Sequence, residues 1–510
     1  MGVKKDICVS NLLYGSHVVY FKKSTNGGVH MLRVYAREVI EGKYPNGLAY
    51  SVHMSIVDNG KEEPVHNNYG LLFARADVNS DNVICPNFVG DIRIVECPAG
   101  EADSDTAVCS ASYLITGTDL TGDGVTDKAD HYWCWSTKDF VEYEEWGLLS
   151  ADALVKKAGI PLAQIRKSDV IELPGQMEEE IRYRWNPQVS GALEKTSLKF
   201  PLARGFGDPV ILLWKDDYYF IATNDNVNDI GLYVRRAHEL DDLFAPDTEM
   251  HVILDKDEKR HLIQTFWAPE FHVIGGELYI LFAVSGEQWG PQCHFMKLKK
   301  DGDICNPADW EDPVRIRKKD GGFLTEEAIT LDMTYVRSGD KHYYAWSYRE
   351  QIGSPLDSGS MIMIAEFDPR DPSRIITDPV CLSRPLYGFE NLCGTINNEG
   401  PYAFYHKDTI YLSYSAADAR GYLYVIGMLT AKEGDDLTDP AVWTKVKTPA
   451  FSFASIPEVY GPGHNSFFCD RNGDWWIAFH GTTGYEEKVV SCGMLRIRYD
   501  KYNHPIFDQP

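Results

Sequence analysis

No stretch of this 510-residue chain is apolar for the length that a bilayer requires. The opening residues, MGVKKDICVSNLLYG, lack the apolar run of a secretory leader. Cysteine supplies no framework: the 11 residues are an odd count, none is spaced as a CxxC pair, and Cys134, Cys293 and Cys492 fall inside strand-like runs. That pattern fits buried reduced thiols better than disulfides, and with the missing leader it predicts a cytoplasmic protein. Positive charge is scarce, with 50 Lys and Arg against 75 Asp and Glu for a net −25. Such a balance disfavours nucleic acid and anionic membranes as partners and points to a neutral, sugar-like substrate.

Aromatic residues, by contrast, are plentiful: 29 Tyr and 12 Trp in a chain that is 44% apolar and 25% charged. The balance is that of a globular protein with material for two domains and a large core. Rings in that number suit β-structure and sugar stacking. The last three hundred residues repeat one pattern: an apolar stretch, a short polar turn, then an aromatic-rich strand. The five copies read DPVILLWKDDYYFIAT, PEFHVIGGELYILFA, DMTYVRSGDKHYYAWS, EGPYAFYHKDTIYLSYS and GHNSFFCDRNGDWWIAFHG. Asp208, Glu270, Asp332, Glu399 and His464 mark them, 62, 62, 67 and 65 residues apart. A repeat of that length built from short strands predicts an all-β fold, a five-bladed β-propeller. The innermost strands of the blades face one channel, so equivalent residues of five blades converge there.

The expected layout is a β-rich accessory domain over 1–150, a helical linker over 151–195 and the propeller over 196–510. Runs such as HMLRVYAREVI, YGLLFARADV, SYLITGT and HYWCWST read as strands between Gly, Asn and Asp turns. They form either extra, incomplete blades or a β-sandwich; HYWCWSTKDFVEYEEWG favours blades because it resembles a blade's outer strands. SADALVKKAG reads as a helix capped by Ser150, and Gln176 to Trp185 as a second, charged helix. In DLTGDGVTDKAD, Asp119, Thr121, Asp123, Asp127 and Asp130 have the spacing of a calcium-binding loop, with Gly124 at the sharp turn. The alternative is an acidic surface hairpin.

Glycosidic bond hydrolysis needs a protonated carboxyl for the leaving oxygen and an ionised one for water. Crowded carboxylates split into those states because like charges resist joint ionisation. Glu399, in INNEGPY, is the candidate acid, long enough to reach a leaving group. Asp208, in RGFGDPV, is the candidate base. Asp332, in ITLDMTY, sits between them to orient the acid and keep it protonated.

These residues, with WAPE at Trp267 to Glu270 and GPGHNSFF around His464, resemble glycoside hydrolase family 43 over residues 196–510. The resemblance implies a five-bladed propeller, inversion at the anomeric carbon, and Asp208 as base, Asp332 as modulator and Glu399 as acid. It also implies a hydrated calcium ion near the axis, beside His464; without a metal, His464 would hydrogen-bond the carboxylates. Trp267 resembles the family's subsite aromatic, and Glu270 is a candidate for binding hydroxyls. Arg384 in LSRPLYG and Arg349 in SYRE are candidates to reach the pocket, and Asn224 and Asp225 in IATND to reach its rim. The implied activity is exo-hydrolysis of a terminal pentofuranose from an oligosaccharide, α-L-arabinofuranose first. β-Xylosidase, endo-arabinanase and galactofuranosidase are the hydrolase alternatives. A phosphorolytic enzyme, which needs basic residues beside one acid, and a non-catalytic sugar-binding propeller are alternatives of other classes.

Overall fold

The structure, a computed structural model, describes residues 30–97, 112–120, 127–186, 197–456, 458–500 and 502–508. Strands dominate, arranged chiefly in seven antiparallel sheets of four or five strands among the described residues. Five of these fill the region after residue 197. Sheets I to IV run in chain order from first strands Phe206–Trp214, Gln264–Ile274, Ile329–Ser338 and Asn398–His406. Sheet V differs. Its strands Tyr460–Cys469, Trp475–Thr482 and Ser491–Arg496 are completed by Lys199–Arg204, which comes from before sheet I. The first strands touch in cyclic order, I against II, II against III, III against IV, IV against V, and V against I.

Four of the five expected polar turns are tight; the fifth, between Cys469 and Trp475, is a five-residue loop. Trp214 pairs with Asp217, Ile274 with Glu277, Ser338 with Lys341 and His406 with Thr409, so two residues make each connection. Each tight turn opens with a residue of positive φ: Lys215, Gly275, Gly339 and Lys407. That handedness matches the twist of the flanking strands.

Every first strand also breaks register at the same depth. The shifts follow Gly207, Trp267, Leu331, Glu399 and Gly463. The next residue in each case has positive φ: Asp208 (53°), Ala268 (43°), Asp332 (54°), Gly400 (55°) and His464 (42°). A bulge re-aims the side chain it carries, and a non-glycine residue held there costs about 1–3 kcal/mol. Cores between adjacent sheets hold the geometry; Phe266, Phe282, Phe404 and Phe479 are fully buried in the largest.

The N-terminal unit contains two further sheets. One joins Met31–Tyr35, His53–Asp58 and Lys61–Pro64 with Val170–Glu172, which pairs back onto Met31–Arg33. The segment expected to be a helical linker therefore supplies an edge strand to this sheet. The helices lie at Ala151–Ala158, where Ser150 accepts the Ala153 N–H, and at Gly175–Trp185. The other sheet is a meander of Phe88–Glu96, Tyr113–Leu120, Asp127–Thr137 and Tyr143–Ser150. Its first strand breaks register after Gly90, with Asp91 at φ 44°. YGLLFARADV is mostly not a strand: Leu71, Leu72, Phe73 and Ala74 are all buried, without the alternation of a half-exposed strand.

The unit is packed onto sheets III and IV. Tyr44, Leu48, Tyr69 and Phe73 share one core with Val336, Ile362, Phe389 and Leu412. Thr448 Oγ1 donates to the Leu71 carbonyl at 2.7 Å.

Candidate active site

Asp208 is positioned by its bulge, and its neighbours come from sheets I and V. Its Oδ1 lies 3.0 Å from His464 Nδ1 and 3.3 Å from His480 Nδ1. Thr223 donates its hydroxyl to Oδ2 and accepts the Ala268 N–H at 2.9 Å, tying sheets I and II together. The Asp208 backbone N–H donates to His480 Nδ1 at 3.1 Å. That leaves the His480 ring proton on Nε2, which faces the Ala419 carbonyl at 3.3 Å. Burial alone would raise the Asp208 carboxyl, but His464 and the Thr223 hydroxyl outweigh it and hold the group well below the usual carboxylate range.

Asp332 sits in the opposite setting. It is 3% exposed, and its Oδ2 accepts the Gly400 N–H at 3.1 Å. Burial, then the nearby charges of Glu399 and Asp208, push it well above the usual range. Glu399 precedes the bulge residue Gly400, and its Oε1 accepts the Tyr424 hydroxyl at 2.8 Å. Tyr424 stacks on His480, with centroids 5.4 Å apart and 12° between planes. Position 463 must be glycine for this packing, since a Cβ there would stand 2.1 Å from the Tyr424 ring.

Beneath Glu399 lies a buried network. Glu390, fully buried, receives Lys445 Nζ at 2.6 Å, the Tyr414 hydroxyl at 2.7 Å and Asn398 Nδ2 at 3.1 Å. Asn398 is the residue before Glu399. Removing one partner of such a pair costs about 3–5 kcal/mol, so the strand start that holds Glu399 is firmly anchored.

Other expected residues have different uses. Glu270 is two positions past the bulge residue Ala268; it is 3% exposed and bonds His272 Nε2 at 2.6 Å. Trp267 is half-buried and donates its indole N–H to Asp229 at 3.0 Å. Asn224 is buried and caps the turn Asp225–Val227. Asp225 lies 3.7 Å from Arg420, and burial with the hydrogen-bonded Asp229 raises it to about 6. Arg349 does not serve the pocket: it is held in a two-bond pair with Asp357 at 2.8 and 2.7 Å. Nor does Arg384, whose guanidinium donates to Asn82 at 2.6 Å and to the Ser358 carbonyl at 3.0 Å, tying the N-terminal unit to sheet III. The arginines that a phosphorolytic reading needs are thus committed elsewhere.

Of the calcium-loop residues, Thr121 and Asp123 and the side chain of Asp127 lie outside the described residues. Asp119 is buried and accepts the Trp133 indole N–H at 2.9 Å, while Asp130 is exposed. At His464, Nδ1 faces Asp208, so Nε2 carries the lone pair when Nδ1 is protonated. That Nε2 is buried without a hydrogen-bond partner, an acceptor suited to the O–H of an ion's water.

His480, Tyr424 and Thr223 were not anticipated. Thr223 and His480 stand on second strands and Tyr424 just before a third, in runs buried almost throughout.

A depressed carboxyl beside a raised one and a third on a tyrosine is the arrangement that acid/base cleavage of a glycosidic bond calls for. The chain belongs to Glycosyl hydrolases family 43, whose model matches residues 199–500. It is 30% identical over 290 residues to the "Extracellular exo-alpha-(1->5)-L-arabinofuranosidase" of Streptomyces chartreusis, covering 57% of this chain and 83% of that protein. A protein of the same name from Streptomyces avermitilis is 31% identical over 340 residues, 60% of this chain and 66% of that one. The crystal structure of an alpha-L-arabinofuranosidase from Lactobacillus brevis aligns with 27% identity and a TM-score of 0.53, covering 62% of this chain and 97% of that one. The relatives named extracellular overturn the cytoplasmic expectation. Free thiols misled because burial protects them in any compartment: it raises Cys134 to about 12 and Cys492 well above its usual range.

Proposed function

We propose that the chain is a secreted, exo-acting, inverting α-L-arabinofuranosidase whose sheets I to V are the blades of a five-bladed β-propeller. The blade reading is supported by the cyclic contacts of the first strands and by Lys199–Arg204 completing sheet V. On this reading residues 196–510 are the catalytic domain and the preceding sheets an accessory unit. The substrate reading is supported by the names of the relatives.

The carrying observation is the split between Asp208, held low, and Asp332, held high. Ionised Asp208 takes a proton from water as that water attacks the anomeric carbon. Glu399, steered by Tyr424, gives its proton to the leaving oxygen. Asp332, pinned by the Gly400 N–H, shares the site with Glu399: the two carboxyls resist joint ionisation, so a proton stays on the pair for the leaving oxygen. A hydrated calcium ion, as the family implies, fits beside His464 through the free Nε2; bound there, it would add positive potential to the centre.

Proton NMR of the first-formed sugar tests the mechanism. The product of an α-arabinofuranoside should appear as the β-anomer before mutarotation; an α-anomer overturns the assignment of Asp208 as base.

A further inference from the structure

The strand ends around the acid carry rings that the chemistry does not use. Tyr460 opens the strand that bears His464. Tyr422 lies two residues before Tyr424, and Tyr485 five after His480. The backbone clamps the first two together: the Gly461 N–H donates to the Tyr422 carbonyl at 2.9 Å. Only glycine fits at 461, where φ is 58° and a Cβ would stand 2.2 Å from the Gly421 carbonyl oxygen. The Tyr460 and Tyr485 centroids are 4.3 Å apart, and those of Tyr422 and Tyr485 5.0 Å. Tyr485 remains 38% exposed. Above its ring, at 5.7 Å, stands Lys43 Nζ from the N-terminal unit. The Lys43 turn is fixed by the Ile40–Tyr44 bridge, and Tyr44 is buried in the shared core.

An exposed tyrosine group beside an ammonium suits a saccharide: ring C–H faces pack on the aromatics, and hydroxyls accept from the cation. These rings flank Tyr424, which touches Glu399, and the acid protonates the leaving oxygen. The side they occupy is therefore that of the departing chain. Tyr460 and His464 are separated by roughly 13 Å of strand at about 3.3 Å per residue, which is farther than the first departing sugar reaches.

We propose that Tyr485, with Tyr422, Tyr460 and Lys43, forms a distal leaving-group subsite for an oligosaccharide chain, so that the N-terminal unit takes part in substrate selection; this rests on Glu399 being the acid. The test measures kcat and KM for α-L-arabinofuranosyl fluoride and for α-1,5-linked arabino-oligosaccharides from the disaccharide to the hexasaccharide. Tyr485→Ala should lower kcat/KM about tenfold on the longer oligosaccharides, mainly through KM, and less than about twofold on the fluoride and disaccharide. Tyr485→Phe should keep the preference, and Lys43→Met should lose about threefold on the same long substrates. Equal losses on all substrates, or none on any, overturn the subsite alone. A wild-type chain inactive on every arabinofuranoside overturns the arabinofuranose reading and the subsite with it.

Discussion

The same local structure occurs at Gly90-Asp91 and at Gly207-Asp208. Both pairs lie in the first strand of a four-stranded meander, at a register break, with the aspartate at positive φ. Their surroundings differ. The Asp91 side chain is 46% exposed and pairs with Arg93 and Arg166, whereas Asp208 is 15% exposed and meets two histidines and a threonine. The bulge aims a carboxylate, but the neighbouring sheets decide what it can do. Sheet I has sheets II and V against its first strand; the first strand of the N-terminal meander packs against the other N-terminal sheet and the short helix Leu162–Ile165. The setting of Asp208 is thus made by the strands around it, and Asp91 is the same backbone device without those neighbours.

Substitution should separate the two sites widely. Asp208→Asn should lower kcat at least about 10³-fold, as loss of a general base does, while Asp91→Asn should stay within about twofold. Comparable losses would erase the distinction. Asp332→Asn comes next, at about 10²-fold in kcat. It also has a stability signature. Because the folded state raises this carboxyl above its unfolded value, its neutral form favours folding at low pH and that favour is lost as pH rises. The melting temperature of the variant, relative to wild type, should therefore climb from pH 5 to pH 8; a difference that shrinks over this range would contradict the assigned direction. The smallest effect concerns the ion beside His464. Chelation should cost a few-fold in kcat and leave the melting temperature unchanged. The reverse pattern, lost stability with full activity, would place the metal at the Asp119 loop.

Asp208, Asp332 and Glu399 were legible because each sits in a short motif that repeats at sheet spacing. Counting from acid to acid ignores the bulge: Glu270 lies two positions past the bulge residue Ala268, and Glu399 one position before the bulge residue Gly400. His480 and Tyr424 left no signal, since a run buried almost throughout reads alike whether one ring faces a core or a carboxylate. Arg384 was unreadable because its partner, Asn82, is 302 positions away. The family match begins at residue 199, and the N-terminal strands before it offered alternation without a motif. The return of Val170–Glu172 onto Met31–Arg33 followed from packing rather than from any local pattern.

The strand Lys199–Arg204 has one further consequence, for the order of synthesis. Its partner, Ser491–Arg496, leaves the ribosome long after it. Loop-closure entropy grows only logarithmically with length, so the long wait costs little at equilibrium. In time it costs more, because each earlier sheet must form while the ring is open and an edge strand stands unpaired. A chain terminated before Ser491 would keep most of its sheets yet present that edge permanently, and its fate would be degradation or aggregation rather than partial activity.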